Sequence, residues 1–184
     1  DLATRLAGSR DIVDGPSGPL GGVNFITAHD GFCLHDLVSY NVKHNNANGE
    51  SNRDGSNNNS SFNHGHEGEG ASEEIRMQRR KAVRNLLATV LFSAGIPMIT
   101  SGDERGKTQN GNNNAYCQDN ALTWLDWSEV DEELIETTAR LAAMRQRFSC
   151  FMDTSVLTGD GDVSWLNTDG LPMTVSDWET PDLG

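Results

Sequence analysis

The chain has 184 residues, and its 27 Asp and Glu against 14 Lys and Arg give a formal net charge of −13. The basic residues are scattered, which argues against a nucleic acid or an anionic membrane as a partner, because both require a clustered positive surface. No apolar run approaches the roughly 20 residues of a membrane span, and no export signal opens the chain. We therefore expect a globular protein with a polar ligand and no membrane contact.

Three cysteines, Cys33, Cys117 and Cys150, lack a C-x-x-C spacing and are odd in number. They predict free thiols in a reducing compartment, without a disulfide framework or a zinc site. The expected location is therefore the cytoplasm. Cys117 lies in a motif rich in asparagine, but no sequence feature supplies the base that a catalytic cysteine requires, so we expect its role to be structural.

The first half of the chain predicts a short helix, a strand, a long loop and a second helix. Residues 2–6 have helical spacing, and an apolar run at 23–27 is typical of a strand. Residues 41–72 contain many asparagines and glycines without hydrophobic periodicity, which predicts a loop that is either functional or disordered. Apolar residues then recur at helical spacing from Ser72, a predicted N-cap, to Gly95, a predicted stop. The arginines of this helix are expected to form a solvated face: Arg76, Arg79, Arg80 and Arg84.

The second half predicts a strand, a loop, a helix and a tail. An apolar run at 96–100 is typical of a buried strand, and apolar spacing predicts a helix over about 131–148. Ser128 has capping-box spacing to the first residue of this helix. Trp124 and Trp127 precede it. We expect both tryptophans to pack the loop against the helix.

Beyond residue 148, short strand candidates alternate with turns. Runs at 163–166 and 173–174 flank a turn at 169–170, and a Gly-Asp repeat occupies 159–162. This pattern is typical of β-hairpins. The aspartates lack the ordered ligand series of a calcium loop, so no metal site is predicted.

Both predicted strands end in polar residues that include carboxylates. In a parallel α/β barrel the C-terminal ends of the strands face the active site, so His29 and Asp30 are typical of a sugar-binding or acid/base pair. The alternative interpretation is a buried hydrogen bond between the two that fixes a turn. Asp103 and Glu104 follow the second strand, and from the residues alone they suit a catalytic carboxylate pair or a loop-organising role.

A series of short motifs runs in order from about residue 23 to 127. They are AHDGF at 28–32, DLVSYN at 36–41, NGE at 48–50, NRDG at 52–55, GIPMI at 95–99, GDE at 102–104, QNGNNNAYCQDN at 109–120 and WLDW at 124–127. In this order they resemble the glycogen debranching enzymes of the isoamylase type, which belong to the α-amylase superfamily of glycoside hydrolases. So many motifs in one order make the resemblance highly specific.

The resemblance implies an α/β fold, a partial (β/α)8 TIM barrel of about the last two strand–helix units followed by the beginning of an antiparallel β domain. The expected boundaries are 1–149 for the C-terminal portion of the barrel and 150–184 for the truncated β domain. A complete barrel needs about 250 residues, whereas the chain has 184. We therefore expect a fragment whose partner is the remainder of its own barrel.

The resemblance also implies hydrolysis of α-1,6-glucosidic branch linkages in glycogen or limit dextrin by a retaining mechanism, with no cofactor and no metal. Asp30 matches the carboxylate of the family that stabilises the transition state, and His29 would bind the same sugar. Asn113 and Tyr116 are candidates for lining the glucan cleft, because amides match hydroxyls and a ring covers the apolar face of a sugar.

In the family, the Gly-Asp-Glu motif that matches Asp103 and Glu104 organises a loop, so we expect that role here. The nucleophile and the acid/base of the family lie on earlier strands, upstream of residue 1. The chain alone is therefore expected to be inactive.

Two alternatives stay open at this point. The chain can be a non-catalytic remnant that binds glucan or a protein partner. It can also belong to a related isoamylase or a trehalose-pathway hydrolase whose loop sequences overlap with these. The sequence upstream of the chain tests the first alternative, and product analysis on branched and linear glucans tests the second.

Overall fold

The computed structural model describes residues 2–13, 22–128, 130–148, 151 and 157–180. Two parallel strands lie beside helices in this part of the chain. The helices and strands are α1 (Leu2–Leu6), β1 (Val23–Asn24), α2 (Leu34–Leu37), α3 (Glu73–Phe92), β2 (Ile96–Pro97), α4 (Glu132–Arg147) and α5 (Val175–Glu179). Single turns of 3-10 helix lie at Asn46–Asn48, Asp103–Arg105 and Ala115–Cys117. None of the described helices combines the length and apolar character needed to span a membrane.

β1 and β2 are parallel neighbours in register, with Val23 opposite Ile96 and Asn24 opposite Pro97. The parallel arrangement agrees with two consecutive strand–helix units. Both strands are shorter than the apolar runs at 23–27 and 96–100 that predicted them. Among the described residues each strand has one strand neighbour. Because a strand is defined by hydrogen bonds to its neighbour, each strand ends where the pairing ends.

α3 begins where the sequence predicts. The hydroxyl of Ser72 accepts a hydrogen bond from the backbone N–H of Ile75 at 3.4 Å, and acidic Glu73 and Glu74 occupy the first turn, where the helix dipole favours negative charge. The helix ends at Phe92, before the predicted stop at Gly95. Its N-cap is thus confirmed, and its last turn is shorter than predicted.

α4 confirms the helix predicted over about 131–148, but its cap differs from the prediction. Asp131 is the N-cap, and its carboxylate accepts from the N–H of Leu134 at 2.9 Å. The predicted capping role of Ser128 is wrong, because its hydroxyl donates to Asp126 at 2.6 Å. An aspartate adjacent to the helix is the nearer cap.

α2, α3 and α4 share one hydrophobic core with residues that follow the strands. The core joins Leu34, Val38, Val83, Leu87 and Leu134, with Ile26, Leu37, Ala82, Leu86, Ile99 and Leu141 packed against it. α3 and α4 run in the same direction, because Arg84 pairs with Glu133 near the start of α4 and Arg145 reaches the end of α3. Ile26 and Ile99, which follow the C-terminal ends of β1 and β2, bring this core next to the strand pair.

Arg145 is buried and donates to a carbonyl of the last turn of α3 and to carbonyls beyond its end. Its guanidinium donates to the carbonyls of Leu91 at 2.6 Å, Ser93 at 2.8 Å and Phe151 at 2.8 Å, and also to that of Gly95. The last carbonyls of a helix have no partner within the helix. Arg145 therefore joins the end of α4 to the end of α3 through hydrogen bonds.

The other face of the strand pair is exposed and apolar. It consists of Val23, Phe25, Ile96 and Met98, whose exposed fractions lie between 38% and 52%. Side chains alternate between the two faces of a strand. Ile26 and Ile99, one residue further along, accordingly turn to the core.

The segment 157–180 contains the predicted hairpin and a helix that the sequence did not predict. Leu166 and Pro172 form an antiparallel bridge around the turn at 169–170. α5 follows at once, with a capping box between Thr174 and Asp177. The expected boundary between residues 149 and 150, and Cys150 itself, lie outside the described residues.

Candidate functional site

His29 and Asp30 lie beyond the C-terminal end of β1, on the side where 101–104 follow β2. Their side chains are 90% and 78% exposed, and His29 Nε2 lies 3.3 Å from Asp30 Oδ2. The alternative interpretation of a buried His-Asp hydrogen bond is therefore wrong. An exposed carboxylate beside an imidazole is free to meet a polar ligand.

The segment that carries this pair is fixed at both ends by Asp103. One oxygen of the buried Asp103 carboxylate accepts from the N–H of Leu34 at 2.8 Å, and the other accepts from the hydroxyl of Thr27. Burial raises the pKa of Asp103. Glu104 accepts from the N–H of Gly102 at 2.8 Å. These bonds confirm the loop-organising role expected for Asp103 and Glu104.

A third contact holds the middle of the segment. The N–H of Gly31 donates to the backbone carbonyl of Asn113 at 2.9 Å. Gly31 has φ of +94°, a conformation that L side chains rarely adopt. The loop that contains Asn113 therefore contacts the backbone directly after Asp30.

Asn113 belongs to a group of buried and half-buried amides that we call the asparagine network. Its members are Asn45, Asn48, Asn112, Asn113 and Asn114, together with the carboxylate of Asp54. Amide donors from Asn48 and Asn114 lower the pKa of Asp54. The network joins the long loop at 41–72 to the loop at 109–120, so the long loop is ordered here.

Asn113 does not reach the surface, although the sequence analysis made it a candidate for contact with a sugar. It is 2% exposed. Its amide nitrogen donates to the carbonyl of Ser56 at 2.8 Å and to Asn59 at 2.6 Å, and its amide oxygen accepts from Asn45 at 2.8 Å. Both atoms of the side-chain amide are hydrogen-bonded inside the protein. The expected direct contact between Asn113 and a sugar is therefore wrong.

Tyr116 lies on the outside of the same loop, and the residue is 84% exposed. Gln118, two residues further along, fixes the turn by donating to the carbonyl of Ala47 at 3.0 Å and to Asn48 at 2.8 Å. An exposed ring on a fixed turn suits stacking against an apolar sugar face.

Asp36 is a buried carboxylate that the sequence analysis missed. It accepts from the hydroxyl of Thr108 at 2.5 Å and from the N–H groups of Gln109 at 2.9 Å and Gly111 at 3.1 Å. Burial raises its pKa, and these hydrogen bonds oppose the rise. Asp36 thus shapes the start of the loop that contains Asn113 and Tyr116. No local pattern distinguished it from an exposed helical aspartate.

Arg79 corrects the prediction of a solvated arginine face. It is buried, and its guanidinium donates to the carbonyls of Gly68 at 2.8 Å and Asn63 at 3.0 Å, and to those of His66 and Ser39. The sequence held a signal for this, since Arg79 lies four residues after Ile75 and four before Val83 on the apolar side of the helix. It fixes the long loop to α3.

The tryptophans of the second loop are mostly exposed, at 62% for Trp124 and 72% for Trp127, so the prediction that they pack against α4 is wrong. Trp124 donates to Asp119 at 2.9 Å, and the Trp127 ring lies 4.4 Å from the guanidinium carbon of Arg105. Cys117 is exposed.

Within the described ranges, no group of three or more His, Cys, Asp or Glu is placed to hold a metal ion. A cavity of about 780 Å³ opens between the first turns of α3 and α4, lined by residues such as Arg80, Val83, Thr108 and Glu132. Neither His29 nor Asp30 lines it. The exposed pair is thus an open surface site within the described part.

No family model matches the chain. Curated relatives match the chain. The chain is 50% identical to the glycogen debranching enzyme of Enterobacter sp. (strain 638) over 181 residues and 50% identical to that of Escherichia fergusonii over 182 residues. The Salmonella typhi enzyme is 48% identical over 181 residues. Each match covers 97% of the chain. The chain is homologous to part of the glycogen debranching enzymes.

The resemblance found in the motifs is therefore confirmed along nearly the whole chain. The chain spans 28% of the length of each of these glycogen debranching enzymes. Among solved structures it resembles pullulanase from Bacillus acidopullulyticus, with a TM-score of 0.54 over 82% of the chain and 15% of that protein. The two are 21% identical, so this likeness shows the fold alone. That fold is the α-amylase fold.

Proposed function

We propose that the chain is part of a glycogen debranching enzyme, a glycoside hydrolase that cleaves α-1,6-glucosidic branch linkages in glycogen or limit dextrin. The observation that carries the proposal is the exposed His29 and Asp30 pair, on a segment held at both ends by Asp103, in a chain about half identical to enzymes of that name. A fixed, exposed carboxylate suits a cationic transition state.

The proposed mechanism is retaining. Such enzymes use a nucleophile and an acid/base about 5–5.5 Å apart and pass through an oxocarbenium-like transition state. Asp30 supplies neither function. Its negative charge and hydrogen bonds act on the sugar at the cleavage point and strengthen as the ring flattens. His29 donates a hydrogen bond to the same sugar, and Tyr116 stacks on a neighbouring one.

The proposed architecture assigns 1–149 to the last two strand–helix units of a (β/α)8 barrel and 150–184 to the start of an antiparallel β domain. Two observations support it. β1 and β2 are parallel with helices on one side, and the other face, including Phe25 and Met98, is apolar and exposed. We assign that face to the remainder of the same barrel, which carries the nucleophile and the acid/base. The chain by itself is then inactive.

The test uses the longer protein that contains this chain, assayed on glycogen limit dextrin and on a linear α-1,4-glucan. We expect release of reducing ends from the branched substrate alone. NMR should show that the newly released reducing end is first in the α configuration, as a retaining mechanism requires. Asp30→Asn should lower kcat and kcat/KM together by on the order of 10³-fold, with KM within a few-fold. His29→Ala should lose less, because it removes one hydrogen-bond donor and leaves the Asp30 carboxylate in place.

The control for this test is Asp160→Asn, which changes an exposed aspartate in a distant turn of the chain and should leave kcat unchanged. The proposal fails if the linear substrate is preferred, or if Asp30→Asn retains nearly full kcat.

A further inference from the structure

The peptide group that joins Asp30 to Gly31 is held by the loop at 109–120. The N–H of that peptide donates to the carbonyl of Asn113 at 2.9 Å. A peptide group is planar, so fixing its N–H also fixes the direction in which the backbone leaves Asp30. The position of the exposed Asp30 carboxylate therefore depends on where Asn113 lies.

Asn113 is in turn held by the side chain of Asn45. The amide oxygen of Asn45 accepts from the backbone N–H of Asn113 at 3.0 Å, and its amide nitrogen donates to the side-chain oxygen of Asn113 at 2.8 Å. The same nitrogen donates to the carbonyl of Asp54 at 2.9 Å. Asn45 is fully buried, so water cannot replace these partners.

The pair has no room to shift towards the neighbouring backbone. A methyl group built on Gly55 would lie 2.3 Å from the side-chain oxygen of Asn113 and 2.6 Å from the amide nitrogen of Asn45. Gly55 also has φ of +71°, which favours glycine. Close packing of this kind makes the two amides a rigid support.

We propose that Asn45 is a positioning residue for Asp30, acting through the backbone of Asn113 and the N–H of Gly31. The proposal rests on the proposed function, since it gives Asp30 a role in catalysis. It differs from a general structural role because the effect of Asn45 on the rate passes through one carboxylate. Asn45 contacts no substrate in this scheme.

The test is a double-mutant cycle in the longer protein, with Asn45→Ala, Asp30→Asn and the combination. Asn45→Ala should lower kcat by about tenfold to hundredfold with KM little changed, because small displacements of an aligned group cost that much. In the Asp30→Asn background the same change should alter kcat by less than about threefold, since residues that act as a unit are not additive.

The matched control is Asn46→Ala, which removes the exposed amide next in sequence. It should leave kcat unchanged. Hydrogen exchange followed by mass spectrometry gives a second measurement, on a peptide that covers 28–34. Exchange in this peptide should be faster in Asn45→Ala than in Asn46→Ala.

If Asn45→Ala does not fold, Asn59→Ala replaces it in the cycle. This variant removes a half-buried acceptor of the Asn113 amide. The same cycle with this variant should again be non-additive. The inference is overturned if either folded variant lowers kcat by the same factor with and without Asp30, or does not lower it at all. If Asp30→Asn itself retains kcat, the proposed function fails and the inference fails with it.

Discussion

The Asp103 carboxylate has donors on both of its oxygens, one from each end of the segment 27–34. Both donors are in the interior, since Thr27 and Leu34 are buried. A buried donor left without a partner costs more free energy than the hydrogen bond itself contributes. Asp103 therefore stabilises the fold and, through the segment, shapes the site.

We expect Asp103→Ala to lower the free energy of unfolding by about 2–4 kcal/mol, because it leaves the Thr27 hydroxyl and the Leu34 N–H buried without their acceptor. Urea denaturation at constant pH measures this change. Asp160→Asn is the exposed control and should not alter the midpoint. An unchanged midpoint in Asp103→Ala would show that the segment is held by other groups.

Single residues differ in how far the sequence predicts their roles. The place of Asp30 after a strand predicted that it faces the active site, and the family resemblance predicted the loop-organising role of Asp103. The burial of Arg79 could have been predicted, because this residue interrupts an apolar stripe. The burial of Asn113 could not, because it depends on Asn45, 68 residues away in sequence. Spacing along the chain gives no information on such a pair.

At the level of elements, the long loop at 41–72 is closed on itself by Glu67. Its carboxylate accepts from the N–H groups of Asn41 at 2.8 Å and Val42 at 3.1 Å, and from the side chains of Asn63 at 2.8 Å and His44 at 3.1 Å. Burial alone would raise its pKa, but these hydrogen bonds lower the pKa of Glu67 to about 2.

The stability that Glu67 contributes should depend on pH in the acid range. A carboxylate whose pKa is lower in the folded state stabilises fully above its unfolded pKa, here 4.5, and loses this as pH falls towards the folded value of about 2. We therefore expect the thermal midpoint to fall more steeply between about pH 5 and pH 2 in the original protein than in Glu67→Gln. Parallel curves for the two proteins would contradict this.

Helices were predicted more closely than strands, for a physical reason. The spacing and caps that define α3 and α4 are local in sequence, so their starts could be predicted to within a residue or two. A strand exists through its neighbour, and the apolar runs at 23–27 and 96–100 indicate only the potential to pair. α5 follows a turn and begins with a capping box, which was overlooked because the strand pattern before it suggested more strand.

For the whole molecule, the exposed apolar face of the strand pair should determine behaviour in solution. One face of the pair carries Val23, Phe25, Ile96 and Met98, and within the described residues neither strand has a second strand neighbour. Exposed apolar patches and open edges promote association. We expect the purified chain to self-associate rather than remain a monomer.

Light scattering coupled to gel filtration measures this directly. Phe25→Ser should reduce association, because it removes a large apolar side chain from the face. Leu171→Ser, at a similarly exposed position in the hairpin segment, is the control and should leave association unchanged. A monomer with a sharp two-state thermal transition would contradict this prediction, because it would show that the exposed apolar face does not cause association.

The long loop has almost no regular secondary structure, yet it is attached to α3 by Arg79, whose guanidinium binds carbonyls at residues 39, 63, 66 and 68. The loop cannot open without breaking these bonds or releasing the first turns of the helix. We therefore expect loop and helix to unfold as one cooperative unit, of the kind that native-state exchange detects. A segment that looks like a flexible connection in the sequence should then share the local stability of the helix beside it.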